Sequence, residues 1–319
     1  MKRVLITGIS GFAGSHLAEY LTAKTNYHIG GTYLSESSLQ NIALIREKVT
    51  LWQLDLTNAD QIANVVQEFK PDYIFHLAAI SNSKESFDKP AETITNNIVS
   101  QINLLEAIRK SFLQTSRTLV ISSADIYGKV AKDDLPIDED TPLMPINPYG
   151  VSKIAQDFLG LQYALAYKLA VIRARPFNHI GPRQSQGFVI ADFAKRIAEI
   201  EKGKRAPIMK VGNLKSRRDF TDVRDMVAAY HLLLEKGTDA DAYNIGFGRS
   251  ITIGDVLTKM INFAKTKQIQ IETDESKLRI EDTPDRVCDN KKICGLGWRP
   301  TIPIEKSLQD TLDYWRNIV

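Results

Sequence analysis

Apolar residues fall into two rhythms along this chain. Short apolar runs at Val4-Leu5-Ile6, Tyr27 to Tyr33, Val49 to Leu54, Asp72 to Leu77, Arg117 to Ser122 and Ala170 to Arg175 read as strands. Between them lie longer stretches with helical spacing, through His16, Leu17, Tyr20 and Leu21, then Gln61 to Phe69, Thr93 to Phe112 and Pro148 to Ala170. Strands that alternate with helices imply parallel βαβ units with right-handed crossovers. The predicted fold class is α/β, a doubly wound parallel sheet of the Rossmann-like kind. After Arg175 the alternation loosens, with Pro176, Gly181, Pro182 and Gly187 close together. Helical spacing returns at Phe188 to Lys202, Asp225 to Glu235 and Ile253 to Ala264. We therefore expect a nucleotide-binding domain over 1–175, with a later segment at about 220–245 returning to it. Residues 176–319 are expected mainly to build a smaller, interleaved C-terminal lobe that covers the cofactor and forms the substrate pocket.

Composition narrows the class without changing that picture. At ~150 residues per domain, 319 residues make about two domains. A hydrophobic fraction of 43% and a charged fraction of 25% are ordinary for a soluble enzyme. A net charge of +3 gives no reason to expect a nucleic acid or a membrane as partner. The two cysteines, Cys288 and Cys294, are too few for a disulfide framework or a four-thiolate zinc site, so no metal is expected. The apolar run after Lys2 and Arg3 is too short for a secretory leader, and no later run approaches a membrane span. The expected compartment is the cytoplasm.

The first chemistry stands between the first strand and the first helix. Gly8, Gly11 and Gly14 are spaced G-x-x-G-x-x-G there. Glycine lets backbone amides approach a pyrophosphate, and the following helix N-terminus turns its N–H groups and positive dipole toward it. In this setting the motif points to a dinucleotide. The end of the second strand, Thr32-Tyr33-Leu34-Ser35-Glu36, carries no acid on the strand itself to bind a ribose 2′-hydroxyl, and no arginine follows to take a 2′-phosphate. NADP(H) is favoured on the missing acid, with NAD(H) as the alternative. Asp55, after the third strand, could receive the adenine amino group or could cap a turn.

A second constellation follows. Tyr149 and Lys153 are spaced i, i+4, which on a helix places them on one face. Ser123 ends the fifth strand, where ligands gather in such sheets. An ammonium beside a phenol stabilises phenolate and lowers the tyrosine pKa, and a serine hydroxyl can hold a substrate oxygen.

The glycine loop, Ser123, Tyr149 and Lys153 together resemble the extended short-chain dehydrogenase/reductase family, over essentially the whole chain. His76-Leu77-Ala78-Ala79 after the fourth strand, Asn97 in the next helix and Ser122 to Gly128 strengthen the resemblance. It implies a cofactor site of Gly8, Gly11, Phe12, Ala13, Gly14, Asp55, Leu56, Leu77, Ala78, Ala79, Asn97, Tyr149 and Lys153. It implies a GDP-sugar as partner, met by Ser81, Asn178, Val189, Lys195, Val211, Asn213, Arg218 and Arg279. The run Arg175 to Gln184 resembles that of members that reduce the C4 ketone of GDP-4-keto-6-deoxy-D-mannose with NAD(P)H, giving GDP-D-rhamnose. Tyr149 would then protonate the alkoxide, Ser123 would hold it, and Lys153 would bind the nicotinamide ribose. Asp125 stands where dehydratases of the family carry a Glu that removes the C5 proton, one methylene longer. The alternative is a nucleotide-sugar 4,6-dehydratase of the GDP-mannose type, or a 4-epimerase, with retained cofactor. The resemblance also implies a homodimer through a four-helix bundle built from the Thr93 to Phe112 and Tyr149 to Ala170 helices. A non-catalytic protein on the same fold is disfavoured by the intact Ser123, Tyr149 and Lys153.

Overall fold

A computed structural model of the chain describes residues 1–266, 268–275 and 285–319. In chain order it begins β1 (Arg3–Thr7), α1 (Phe12–Lys24), β2 (His28–Tyr33), β3 (Thr50–Gln53), α2 (Ala59–Phe69) and β4 (Tyr73–His76). Next come α3 (Glu85–Asp88), α4 (Pro90–Lys110), β5 (Arg117–Ile121), α5 (Pro148–Tyr167), β6 (Val171–Pro176) and β7 (Asn178–Ile180). The remainder is α6 (Val189–Glu201), β8 (Ile208–Val211), β9 (Arg217–Asp222), α7 (Val223–Lys236), β10 (Ala242–Ile245), β11 (Ser250–Thr252), α8 (Ile253–Phe263), β12 (Gln270–Thr273), α9 (Lys291–Gly295) and α10 (Ile304–Ile318).

Seven strands form the central sheet in the order β10-β6-β5-β4-β1-β2-β3. Every pair in it is parallel. The six strands read from the apolar runs are present, and β10 adds a seventh beside β6. Their side chains are buried on both faces because helices cover both. Residues of α1, α7 and α9 pack one face around Val4, Ile6 and Phe75. Residues of α2, α4 and α5 pack the other around Leu5, Ile74 and Val120. The order reverses between β1 and β4, which opens a crevice at the carboxyl ends of these strands.

A separate core lies beyond the sheet, where α6, α8 and α10 enclose Ile197, Phe220, Val256 and Leu312. The strands here are short, β11-β9-β7 in one sheet and β12-β8 in another. In α10, Leu308 and Leu312 are one turn apart and fully buried, the helical spacing of an element additional to those expected. Also additional is a 3₁₀ stretch, Glu36–Lys48, which follows β2 and buries Leu39, Ile42 and Ile45 against α1. A seam of Ile126, Tyr127, Ile137, Phe177 and Cys288 joins the two cores. No helix among the described residues is long and apolar enough to cross a membrane.

Candidate active site

The glycine loop leaves β1 and turns sharply into α1. Gly8 has φ +70°, and a Cβ there would lie 3.0 Å from the Ala78 Cα after β4. A Cβ on Gly14 would sit 2.1 Å from the Gly8 carbonyl oxygen. Both positions therefore require glycine. The N-cap of α1 is Gly11, which has no side chain to cap the helix. The first turn of α1 is thus open to an anion, a cradle that fits a dinucleotide pyrophosphate. Phe12, Ala13, Leu77, Ala78 and Ala79 are half-buried around it. His76, at the end of β4, is buried and hydrogen-bonds the Thr7 hydroxyl at 2.9 Å. Burial, followed by the nearby Lys153 charge, pushes its pKa down to about 3, so this ring is neutral.

Beyond β2 the Tyr33 hydroxyl donates to Glu36 at 2.7 Å, and Glu36 lies 3.9 Å from Arg46. The carboxylate of Glu36 is therefore engaged locally. Ser35 and Ser37 share a hydrogen bond at 2.8 Å, and Ser38 meets Ser10 of the glycine loop at 2.6 Å. Asp55 accepts from the Thr57 amide at 2.8 Å, the local turn role, and remains exposed; Leu56 beside it is buried.

Tyr149 enters on the first turn of α5. Asn147 caps that helix by accepting from the Gly150 amide at 2.6 Å, and Pro148 supplies a preset φ. The Ser123 side chain, just past the end of β5, stands near the phenol and favours its ionised form. Lys153, one turn on, is 3% exposed and donates to the Ile121 carbonyl at 2.8 Å. Its ammonium is 5.7 Å from the Tyr149 ring centroid. Ser123, Tyr149 and Lys153 are thus brought together at the sheet's carboxyl edge. One expectation is reversed. Burial first, and then the Asp125 charge, hold the Tyr149 proton more tightly than usual, with the Ser123 side chain opposing. Burial also pulls Lys153 down to about 7, which removes much of the charge expected to acidify the phenol.

Asn97 is also corrected. It is fully buried, and its amide group faces protein on every side. Its Nδ2 donates to the Ile80 carbonyl at 3.0 Å and the Ser152 hydroxyl at 2.9 Å, while its Oδ1 accepts from the Ile80 and Asn96 nitrogens at 2.8 and 3.1 Å. Both amide hydrogens are spent, so Asn97 clamps the loop after β4 to α5 and has no donor left for a cofactor. Asp125 is not a free base either: its carboxylate forms an ion pair with Arg286, a residue that the sequence reading did not single out.

The residues expected at the sugar nucleotide are spread along the C-terminal lobe. Asn178 on β7 and Ser81 after β4 are exposed, and Val189 is half-buried at the start of α6. The loop before Val189 approaches the Ser81 region, since a Cβ on Gly187 would come 2.8 Å from the Asn82 amide. His179 stacks on Phe12 of the glycine loop, with ring centroids 5.7 Å apart and planes within 5°. Arg218 on β9 is half-buried and donates to the Arg217 carbonyl at 2.7 Å. Asn213 is exposed and accepts from the Lys215 amide at 2.9 Å. Lys195 directs its ammonium to Glu199, one turn along α6, at 3.4 Å. Val211 is 1% exposed inside the second core, so its side chain presents no surface to a ligand. Arg279 lies outside the described residues.

A doubly wound sheet with a glycine-loop cradle at β1 and a serine–tyrosine–lysine cluster at β5 and α5 defines a dinucleotide-dependent enzyme of the short-chain dehydrogenase/reductase class. Within that class, the chain belongs to the GDP-mannose 4,6-dehydratase family, whose model matches residues 5–311. It is 35% identical to the GDP-6-deoxy-D-mannose reductase of Pseudomonas aeruginosa, across 100% of this chain and 98% of that one. It is 30% identical to the GDP-mannose 4,6-dehydratase of Yersinia enterocolitica, across 85% of this chain and 74% of that one. Among solved structures it is similar to RMD from Pseudomonas aeruginosa complexed with NADPH, with a TM-score of 0.88 and 34% identity over 100% of both chains. The UDP-glucose 4-epimerase of Thermotoga maritima with UDP-glucose is similar too, with a TM-score of 0.88 and 27% identity over 99% of both chains.

Proposed function

We propose that the chain is a nucleotide-sugar oxidoreductase that reduces the C4 ketone of GDP-4-keto-6-deoxy-D-mannose to GDP-D-rhamnose. The observation that carries this reading is the gathering of Ser123 with buried Tyr149 and Lys153 at the sheet's carboxyl edge, in a chain similar to a reductase from end to end. A bound nicotinamide would supply the hydride. Ser123 orients the ketone oxygen, and Tyr149 gives its Oη proton to that oxygen as negative charge develops. Burial keeps the phenol in its protonated form, and the charge that develops on the ketone oxygen draws the proton across. Lys153, fixed on the Ile121 carbonyl with its ammonium 5.7 Å from the Tyr149 ring centroid, is assigned to the nicotinamide ribose. NADP(H) is the preferred cofactor. This is supported by the absence of an acid on β2 and by Glu36 being held by Tyr33 and Arg46.

We read residues 1–175, with the return at about 220–245, as the cofactor domain and 176–319 mainly as the substrate lobe. The pairing of β10 with β6 and the separate core around α6, α8 and α10 support that division. Asn178, Val189, Asn213 and Arg218, together with Ser81, are the side chains assigned to the sugar nucleotide. A homodimer through α4 and α5 is supported by exposed Phe158, Leu165 and Tyr167 on α5. The cytoplasm as compartment is supported by two cysteines that stay unpaired.

The test follows nicotinamide absorbance on a panel of 4-keto-6-deoxy nucleotide sugars, with NMR of the products. Stoichiometric NADPH oxidation with the GDP-linked ketone is expected. Turnover of GDP-mannose with no net consumption of added NAD(P)H would establish the dehydratase or epimerase alternative instead.

A further inference from the structure

Asp125 follows Ser123 by two residues, and its amide donates to the Ser123 hydroxyl at 3.1 Å. Its charge is felt at Tyr149. It therefore stands beside the place where the reading above puts the ketone. A hydrogen on the carbon next to a ketone is acidic, and the same groups that polarise the C4 oxygen for reduction also ease loss of the C5 proton. A carboxylate within reach of C5 would invite that second reaction.

The carboxylate is occupied from across the seam. Arg286 forms an ion pair with Asp125, and the two side chains are only 8% and 20% exposed. The backbone around Arg286 is fixed by both halves of the molecule. Its carbonyl accepts from the Asp219 amide at 3.0 Å, and the Cys288 amide donates to the Asp219 carboxylate at 3.1 Å. The Val287 carbonyl accepts from Ile137 at 2.8 Å, and Asp289 donates back to Ile137 at 2.8 Å. The guanidinium is thus delivered on a stitched segment, and its charge-assisted hydrogen bond occupies Oδ1 of the carboxylate and fixes the direction in which the group points.

We propose that Arg286 decides which reaction the site performs: by holding Asp125 it withholds the carboxylate from C5, so that a bound 4-keto sugar is reduced at C4 and not deprotonated. This rests on the 4-keto sugar reading. When the pair is broken, Asp125 takes the C5 proton. The C–H electron pair becomes the C4–C5 double bond and the carbonyl pair moves onto O4, against Tyr149. Return of a proton from the solvent-exchanged carboxyl restores the ketone. No redox partner is needed.

The experiment incubates the full chain with GDP-4-keto-6-deoxymannose in D2O without reduced nicotinamide and follows loss of the C5–H signal by proton NMR. Arg286→Gln should exchange C5–H at least about tenfold faster than the wild type. Arg286→Lys, which keeps a cation facing Asp125, should stay near the wild-type rate. Adding Asp125→Asn to Arg286→Gln should return exchange to background. A folded Arg286→Gln chain that exchanges no faster, or a gain that survives Asp125→Asn, overturns the proposal. If circular dichroism finds Arg286→Gln unfolded, Asp125→Glu carries the test. With Arg286 in place the longer carboxylate should still be held and exchange should stay at background; a rise would show that side-chain length, not the guanidinium, withholds the base. A wild type that fails to oxidise NADPH with this compound overturns the substrate reading, and this proposal with it. A wild type that reduces it while the variants behave otherwise overturns this proposal alone.

Discussion

Asp157 and Asp125 are both carboxylates held by arginine, one beneath the middle of α5 and the other at the seam between the cores. Asp157 is fully buried and accepts from Arg173 at 2.6 Å and from Arg175 at 3.0 Å through both Nε and Nη2. The remaining donors are used as well, Arg173 on the Ala240 carbonyl and Arg175 on the Tyr127 hydroxyl and the Glu139 carbonyl. All three charged residues lie within one stretch of α5 and β6. The Asp125–Arg286 pair instead joins segments 161 residues apart, and keeps some exposure. A cluster satisfied within one half fixes geometry, here the seating of the helix that carries Tyr149 and Lys153. A pair that bridges two halves beside the reacting atoms can set chemistry, because breaking it changes what the site presents to substrate.

Two substitutions test that division most strongly. Tyr149→Phe should lower kcat for NADPH oxidation by about 10²–10⁴ while NADPH binding, followed by fluorescence titration, persists. Near-full turnover in this variant would remove Tyr149 from the chemistry. Asp157→Ala leaves two guanidinium groups facing each other in a dry site. It should cost about 3–5 kcal/mol of stability in urea denaturation, since breaking one side of a buried pair strands the other charge. The comparison fails if Asp157→Ala slows turnover at unchanged stability.

The cofactor half was legible because its signals are local. Val4-Leu5-Ile6 followed by Gly8, Gly11 and Gly14 is strand, turn and helix in one short stretch, and Tyr149 and Lys153 declare a shared helix face by spacing alone. Arg173 and Arg175, two apart in the otherwise apolar β6, show a charged face inside the sheet and are a readable sign of a buried partner. Arg286 carries no such sign, because its partner lies far away in the chain and only the stitching to Asp219 and Ile137 brings them together. The second core was harder for a related reason. Its strands lack the unbroken apolar run of the central ones: β9 reads Arg217-Arg218-Asp219-Phe220-Thr221-Asp222 and β7 reads Asn178-His179-Ile180. Asn97 was assigned to the cofactor by resemblance, whereas its four hydrogen bonds all go to protein. Asn97→Leu should therefore cost about 1–3 kcal/mol in urea denaturation by stranding the Ile80 amide and carbonyl. A variant of wild-type stability with weakened NADPH affinity would return Asn97 to the cofactor site.

Lys153 lies between the two kinds of residue, one turn after Tyr149 and one turn before Asp157 on the same face of α5. Its burial gives an effect with a defined pH window. The folded-state pKa is pulled down from 10.5 to about 7, by burial. Between those values the unfolded chain holds the proton and the folded chain does not, so unfolding takes up a proton and stability rises with pH. Below about pH 7 both states are protonated and the cost of burying the charge is borne in full. The slope is at most about 1.4 kcal/mol per pH unit. Lys153→Met has no such proton, so the unfolding free energy of the wild type minus that of Lys153→Met should increase from pH 7 to pH 9. A difference that stays level would mean that Lys153 keeps its ammonium charge when folded. The carbonyl of Ile121 would then stabilise that charge against burial, and Lys153 would belong with Asp157 as a charge satisfied in place.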